Sequence, residues 1–344
     1  MDGCSSESEE NQPQEDANYP PWAHLPTVIL VEIFSYLNQK DLGNASAVCR
    51  NWRPLFFHPR WWKTMSVPIL RNELKKAEFV SCHFGHVTEY AKVLLDLTHN
   101  KCAKKFIVLL KCLEKNNNLR CLSITPPHCQ KMKRCKWKRD EGTVRRLLEN
   151  IIPKLEELTL GNLEDIPMSM EEICHKLNPS LKCLMLATQR SNFARNHEVS
   201  FDPKVLSRFT KLQVLSLDLH HISDELLDLL DSASELRQIV IYIHSINDNY
   251  IPTTDETWIR FHQKHRICKV QLAIPHDFKD LNKIESVLSR YMPLYHLDVL
   301  VCKKCELSVA CKKLEASFRE LELREPPVME FPQLHVKWGY CDLK

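Results

Sequence analysis

Apolar positions crowd residues 25–62 and leave little polar face between them. Pro26 suits the start of a helix, because its fixed φ and missing N–H fit a first turn. The pattern predicts a helix over 27–37. Val28, Ile29, Ile33, Phe34 and Leu37 cover more than one side of it, more than a short helix needs when it packs only within its own module. Asn38–Lys40 break the pattern. Asp41 is the expected N-cap of a second helix running to about Trp52, kept slim by Gly43, Ala45 and Ala47 and stopped by Pro54. Phe56, Phe57, Trp61 and Trp62 then bring large rings close together. So short a module buries little by itself and is expected to lean on a neighbour.

A second pattern begins at Leu119. Leu-x-x-Leu-x-Leu stands at Leu119-Leu122-Ile124, Leu155-Leu158-Leu160, Leu181-Leu184-Leu186 and Leu212-Leu215-Leu217. Aliphatic versions follow at Leu236-Ile239-Ile241, Ile267-Val270-Leu272, Leu294-Leu297-Val299 and Phe318-Leu321-Leu323. Starts lie 24 to 36 residues apart, which resembles the upper range of leucine-rich repeats. A weaker copy stands at Trp62-Met65-Val67. Helical patterns fill the intervals, the clearest over Ile222–Leu230 with Ser223 as N-cap. A strand with a return helix leaves an apolar edge that only the next unit covers, so such units stack. The expected fold class is α/β: an N-terminal all-α module followed by a curved solenoid of parallel strands with return helices.

The opening module resembles an F-box. The residues carrying this are Leu25-Pro26, Ile33-Phe34-Ser35-Tyr36-Leu37, Asp41-Leu42, Val48-Cys49-Arg50-Asn51-Trp52-Arg53 and Trp61-Trp62. Gly43 and Ala45 depart from the pattern, where the family often has leucine. The resemblance implies docking to the Skp1 adaptor, and through it to cullin-1 and a RING subunit, by Leu25, Pro26, Ile29, Ile33, Phe34, Leu37, Leu42, Val48 and Trp52. It implies a non-catalytic substrate receptor of an SCF ubiquitin ligase, cytoplasmic or nuclear, with the repeats holding a protein substrate. The repeats are similar to the Cys-containing kind that accompanies F-boxes, with Cys302 in the Cys place. Their irregular lengths are most similar to those of F-box-only proteins thirty-three and thirty-nine. The expected organisation is an acidic leader over 1–20, the F-box over 21–67, and the solenoid over 68–344.

Composition changes the picture in three places. Residues 1–18 hold Asp2, Glu7, Glu9, Glu10, Glu15 and Asp16 with no Lys or Arg, the composition of a disordered leader. No basic stretch followed by an apolar run opens the chain, so its fifteen cysteines are expected to be reduced thiols, mostly core hydrophobes; no run is long enough for a membrane helix. Between Lys101 and Arg146, fourteen Lys and Arg face only Glu114, Asp140 and Glu141. The densest part, Lys131–Arg139, falls in the widest repeat interval and is expected to be a basic insertion over 126–146. It reads as a solvated loop, as an acid- or phosphate-reading patch with Lys133 and Arg134 at its centre, or as a nuclear-targeting or nucleic-acid-contacting segment, for the last of which Trp137 alone supplies little stacking surface.

No nucleophile elbow, phosphate loop or zincin motif is present, and no cofactor or metal is expected. Cys302-Lys-Lys-Cys305 followed by Cys311 has zinc-like spacing, but a lone Cys-x-x-Cys is weak evidence; His262, His265 and Cys268 lack a clear fourth ligand, and Asp218, His220, His221 and Asp224 need not converge, since Asp218 falls on a strand and Asp224 begins a helix. The outward strand positions Cys183, Met185, Ala187, Val214, Ser216, Gln238, Val240 and Tyr242 are apolar for an exposed face, and His296, Asp298, Glu320 and Glu322 border them with polarity. An apolar strip with a charged border fits a partner surface, so Met185, Val214, Val240, Tyr242 and His296 are the expected substrate contacts. Two other readings use the same residues: a leucine-rich scaffold or inhibitor without ubiquitin transfer, and a nucleic-acid-associated protein working through 131–146.

Overall fold

The computed structural model describes residues 21–127, 140–161, 165–188, 201–246, 250–274, 278, 281–289, 291–302 and 335–341. The acidic leader, Lys133 and Arg134, Cys305 and Cys311, and the expected strand over 318–323 lie outside them. The chain divides into two units, 1–61 and 62–344.

In the first unit, α1 spans Thr27–Phe34 and α2 spans Gln39–Ser46. Pro26 precedes the first turn rather than occupying it, and its carbonyl accepts from Leu30 N at 3.1 Å. The second helix is capped by Asn38, not Asp41. The Asn38 side chain accepts from Lys40 N and Asp41 N, both at 3.0 Å, and donates to Asp41 Oδ2 at 2.6 Å. One amide therefore satisfies two orphan N–H groups and holds the carboxylate that competes for the cap. α2 ends at Ser46, well before Trp52, and Pro54 instead opens a 3-10 turn over Arg53–Phe57. Leu30, Phe34, Leu42 and Leu55 form the core, with Leu25, Val31, Leu37, Ala45, Trp52, Phe56 and Trp61 packed around it. Trp52 meets Phe34 edge-on at 5.4 Å, a favoured aromatic geometry. Its Nε1 donates to Trp22 O, and Trp61 Nε1 donates to Leu55 O at 2.7 Å.

The second unit is one parallel sheet whose strands follow chain order from β1 to β10. They are β1 Thr64–Ile69, β2 Tyr90–Leu95, β3 Cys121–Thr125, β4 Glu157–Leu160, β5 Cys183–Met185, β6 Val214–Asp218, β7 Gln238–Tyr242, β8 Lys269–Ile274, β9 Leu294–Cys302 and β10 His335–Cys341. The return elements are α3 Leu74–Phe84, α4 Asn100–Glu114, α5 Glu141–Ile151, α6 Met170–Lys176, α7 Asp224–Leu229 and α8 Asp255–Lys264, with 3-10 turns at Pro203–Arg208 and Leu281–Val287. Each strand pairs only with the strands before and after it, the stacking expected of repeat units. The fold class is thus the one read from the sequence.

The register explains the repeat. Met65, Ala91, Leu122, Leu158, Leu184, Leu215, Ile239 and Val270 form one row across the ladder, and all are buried. The weak copy Trp62-Met65-Val67 is a true unit. The next unit carries Thr88, Ala91 and Val93 at these positions. Thr88 is buried in a leucine site because its hydroxyl is satisfied by Trp62 O and Phe84 O, each at 2.9 Å. Beside it, buried Asn116 donates to Gly85 O and Thr88 O. Along the strand entrances a main-chain ladder runs from unit to unit, for example Arg120 N to Glu89 O, Glu156 N to Arg120 O and Lys182 N to Glu156 O. The same residues pair by charge: Lys63 with Glu89, and Glu156 with both Arg120 and Lys182. Lys182 holds the Glu156 carboxyl below the usual range.

Two repeat positions depart from expectation. Ile267 is 67% exposed, because α8 ends at Lys264 and the turn after it puts His265 and Cys268 inward instead. Beyond β9, the paired strand is His335–Cys341, so the place expected for 318–323 beside β9 is taken by a later segment.

Candidate docking surfaces

On α1 the buried residues are Leu30 and Phe34. At 100° per residue, Val28 and Ile29 fall about 140° and 120° from the mean direction of these two, and Ile33 flanks them at about 80°. All three are exposed, Val28 at 78%. Tyr36, just after the helix, is 82% exposed, and Val48 is 67% exposed after α2. Helix and turns together thus present large apolar side chains that their own unit leaves in water, the signature of a surface completed by another molecule. Nearby charge is modest: Glu32 meets Arg60 at 3.2 Å with both largely exposed.

Of the residues read as adaptor contacts, Ile29, Ile33, Val48 and Pro26 are on the surface, and Leu25, Leu37 and Trp52 are half-buried. Phe34 and Leu42 are buried within their own unit. At 1% and 2% exposure they are core residues that hold the surface in shape. Val28, Tyr36 and Phe57 are exposed apolar residues that were not among the expected adaptor contacts; helical angle alone distinguishes Val28 from Leu30.

On the strand face of the second unit, Met185, Ser216, Val240, Gln271 and His296 lie in one row. Met185, Val214, Tyr242 and His296 are half-buried, whereas Val240, Ser216 and Ala187 are buried. The expected open apolar strip is therefore shaded at its centre. Neighbouring strands lie about 4.8 Å apart, so a small side chain between long ones is covered by them. Ser216 sits between Met185 and Val240, and Gln238 donates across to Gln271 at 2.7 Å.

At the strand ends of β5–β7 a polar cluster forms. Thr188 N donates to Asp218 Oδ1 at 3.1 Å, and His244 Nε2 donates to Thr188 O while lying 3.3 Å from Asp218. Asp224 turns away to bind Thr254 N and Oγ1, at 2.9 and 3.0 Å. Asp218 and Asp224 therefore serve different partners, and among the described residues no three His, Cys, Asp or Glu side chains are grouped to hold a metal. Burial pushes His221 down to about 4, helped by the adjacent His220 and opposed by Asp218. Its proton is held more weakly in the folded chain than in the unfolded one. Stability is complete above pH 6.5 and falls as acid titrates the unfolded state. The expected loss is about 3 kcal/mol by pH 4, at about 1.4 kcal/mol per unit. Urea unfolding of the native chain and His221→Phe across pH 4 to 7 checks this: the variant's curve should be flatter.

Cysteines 49, 82, 102, 112, 121, 174, 183 and 268 are free. Burial raises the Cys121, Cys174, Cys183 and Cys268 thiols to about 12, so they pack as hydrophobes. Among the described residues no helix is long and apolar enough to cross a membrane.

Residues 22–68 match the F-box-like family model. F-box/LRR-repeat protein 21 of Mus musculus is 34% identical over 62 residues, covering 18% of this chain and 14% of that protein. The Bos taurus protein of the same name matches to the same extent. The match thus spans about a seventh of these relatives' length. The chain carries an F-box-like domain followed by a repeat solenoid.

Proposed function

We propose that this chain is the substrate-recognition subunit of an SCF-type ubiquitin ligase. The observation that carries the reading is the exposed arc of Val28, Ile29 and Ile33 within a segment matching the F-box-like model. In this reading Pro26, Ile29, Ile33 and Val48, joined by Val28 and Tyr36, bury against Skp1, with Leu25, Leu37 and Trp52 at the rim. Skp1 links the chain to cullin-1 and its RING subunit. The irregular solenoid, of the kind named for F-box-only proteins thirty-three and thirty-nine, binds a protein substrate through the half-buried Met185, Val214, Tyr242 and His296. No bond is made or broken by this chain. It holds a substrate lysine near a ubiquitin thioester, and the rate gain comes from effective concentration.

Co-expression with Skp1 tests the reading. The native chain should co-purify with Skp1, and Leu25→Ala with Pro26→Ala should lose it. Met185→Asp with Tyr242→Asp should keep Skp1 while losing substrate capture. Failure of the native chain to retain Skp1 contradicts the proposal.

A further inference from the structure

The return helices of the solenoid treat their cations in two ways. On α5, α6 and α8 the cations meet carboxylates. Arg145 pairs with Glu149 and Glu172, Arg146 with Glu114 at 2.8 Å, and Lys176 with Glu149 at 3.5 Å. Arg260 pairs with Asp228 at 3.1 Å, and Lys264 with Asp231. On α4 and its C-cap, Lys101, Lys104, Lys111 and Lys115 are exposed and have no carboxylate partner among the described residues. Their spacings of three, seven and four residues put them on one straight stripe, with half-buried Val108 in the gap. The stripe is about 21 Å long at 1.5 Å per residue.

This arrangement breaks a local rule. The first turn of α4 holds Lys101 and no acidic residue, although the positive end of a helix favours anions. The nearby cleft is lined by Arg71, Thr98, His99, Asn100 and Lys101; the carboxylate at this end, Asp96, is buried and accepts from Thr98 N and Oγ1, and Arg71 is exposed without a carboxylate partner among the described residues. Such conflicts concentrate where function demands them.

We propose that the outward face of α4, with Arg71 at its head, docks an acidic segment of a protein partner. This stands apart from adaptor binding by the first unit. Charge placement selects the class of partner. Glu73 and Glu78 flank the stripe on the α3 side, where they meet Lys76 and Lys105. Glu114 flanks it on the α5 side, held by Arg146 and Asn150. The positive lane is therefore narrow. A duplex or a bilayer would lay its phosphates over those carboxylates as well, whereas a single acidic segment tracks the lane. Apart from Arg71 at its head, the cations of the stripe are lysines, point charges without the fork that grips phosphate, and none of its residues is aromatic, as base stacking would need. An acidic helix repeats its carboxylates at the same i, i+3 and i+4 intervals.

The test is fluorescence polarisation with the full chain and a labelled poly-glutamate peptide of about twelve residues, long enough to span most of the stripe as a helix. Charge reversal by K101E, K104E, K111E and K115E should weaken binding at least about tenfold, the four Lys→Gln changes should weaken it less, and added salt should weaken it throughout. Glutamine keeps the helix propensity of lysine, so the Gln variant decides the matter if the Glu variant misfolds. A chain with the basic residues of 131–139 changed to glutamine should keep the stripe's effect. Equal affinity of native chain and stripe variants overturns the proposal. So does tighter, stripe-dependent binding of oligo-dT or of phosphatidylserine vesicles than of the peptide.

Discussion

Replacing Val28 and Ile33 together by aspartate is expected to abolish adaptor binding while leaving the chain folded. Both side chains already stand in water on α1, so the substitutions remove nothing from the core. Surface changes away from packed features usually cost under about 0.5 kcal/mol. In a complex the same positions would be central and desolvated. Truncating such residues typically costs 2 kcal/mol or more, and burying two new carboxylates adds to that. The dissociation constant for Skp1 should rise at least about a hundredfold, roughly 2.7 kcal/mol. Phe34→Ala, on the buried side of the same helix, should behave in the opposite manner. It removes a ring that is 1% exposed and packed edge-on against Trp52, so its main cost falls on stability, about 3–5 kcal/mol. Pull-down and thermal melting of both variants separate the two roles.

Trp258→Ala should produce the largest loss of stability in the solenoid. Trp258 on α8 is fully buried, meets Phe261 edge-on at 5.8 Å and donates from Nε1 to Thr253 Oγ1 at 2.7 Å. Its removal opens a cavity and strands the threonine hydroxyl. The expected cost is about 3–5 kcal/mol, a large share of a typical stability of about 5–15 kcal/mol. Because repeat units contact mainly their neighbours, the effect should be local. Urea unfolding followed by tryptophan fluorescence and by backbone circular dichroism should lose coincidence, the units around β8 melting first. Coincident transitions with an unchanged midpoint contradict this.

The sequence made the solenoid legible where leucine filled all three repeat positions, as at Leu155-Leu158-Leu160. It hid the unit at β2, because Thr88 stands in a leucine place and is tolerated through hydrogen bonds to the nearby end of α3 and to Trp62 O, which is 26 residues away. It misplaced the cap of α2, since Asn38 and Asp41 are both good caps and only the three-dimensional arrangement shows the amide holding the acid. Shading of Val240 and Ser216 was equally hidden, because their cover comes from residues two or three dozen positions away, on adjacent strands. On α1 the excess of apolar residues was plain from the pattern, but which of them face outward required the core of Leu30, Phe34, Leu42 and Leu55 to be assembled.

Titration calorimetry of the full chain with purified Skp1, at several temperatures, probes the central claim most directly. Burial of the Val28, Ile29, Ile33 and Val48 surface predicts saturable binding with a negative heat-capacity change, absent from the Val28→Asp, Ile33→Asp variant. No heat at any temperature, with those four side chains found covered in the free chain, would contradict it.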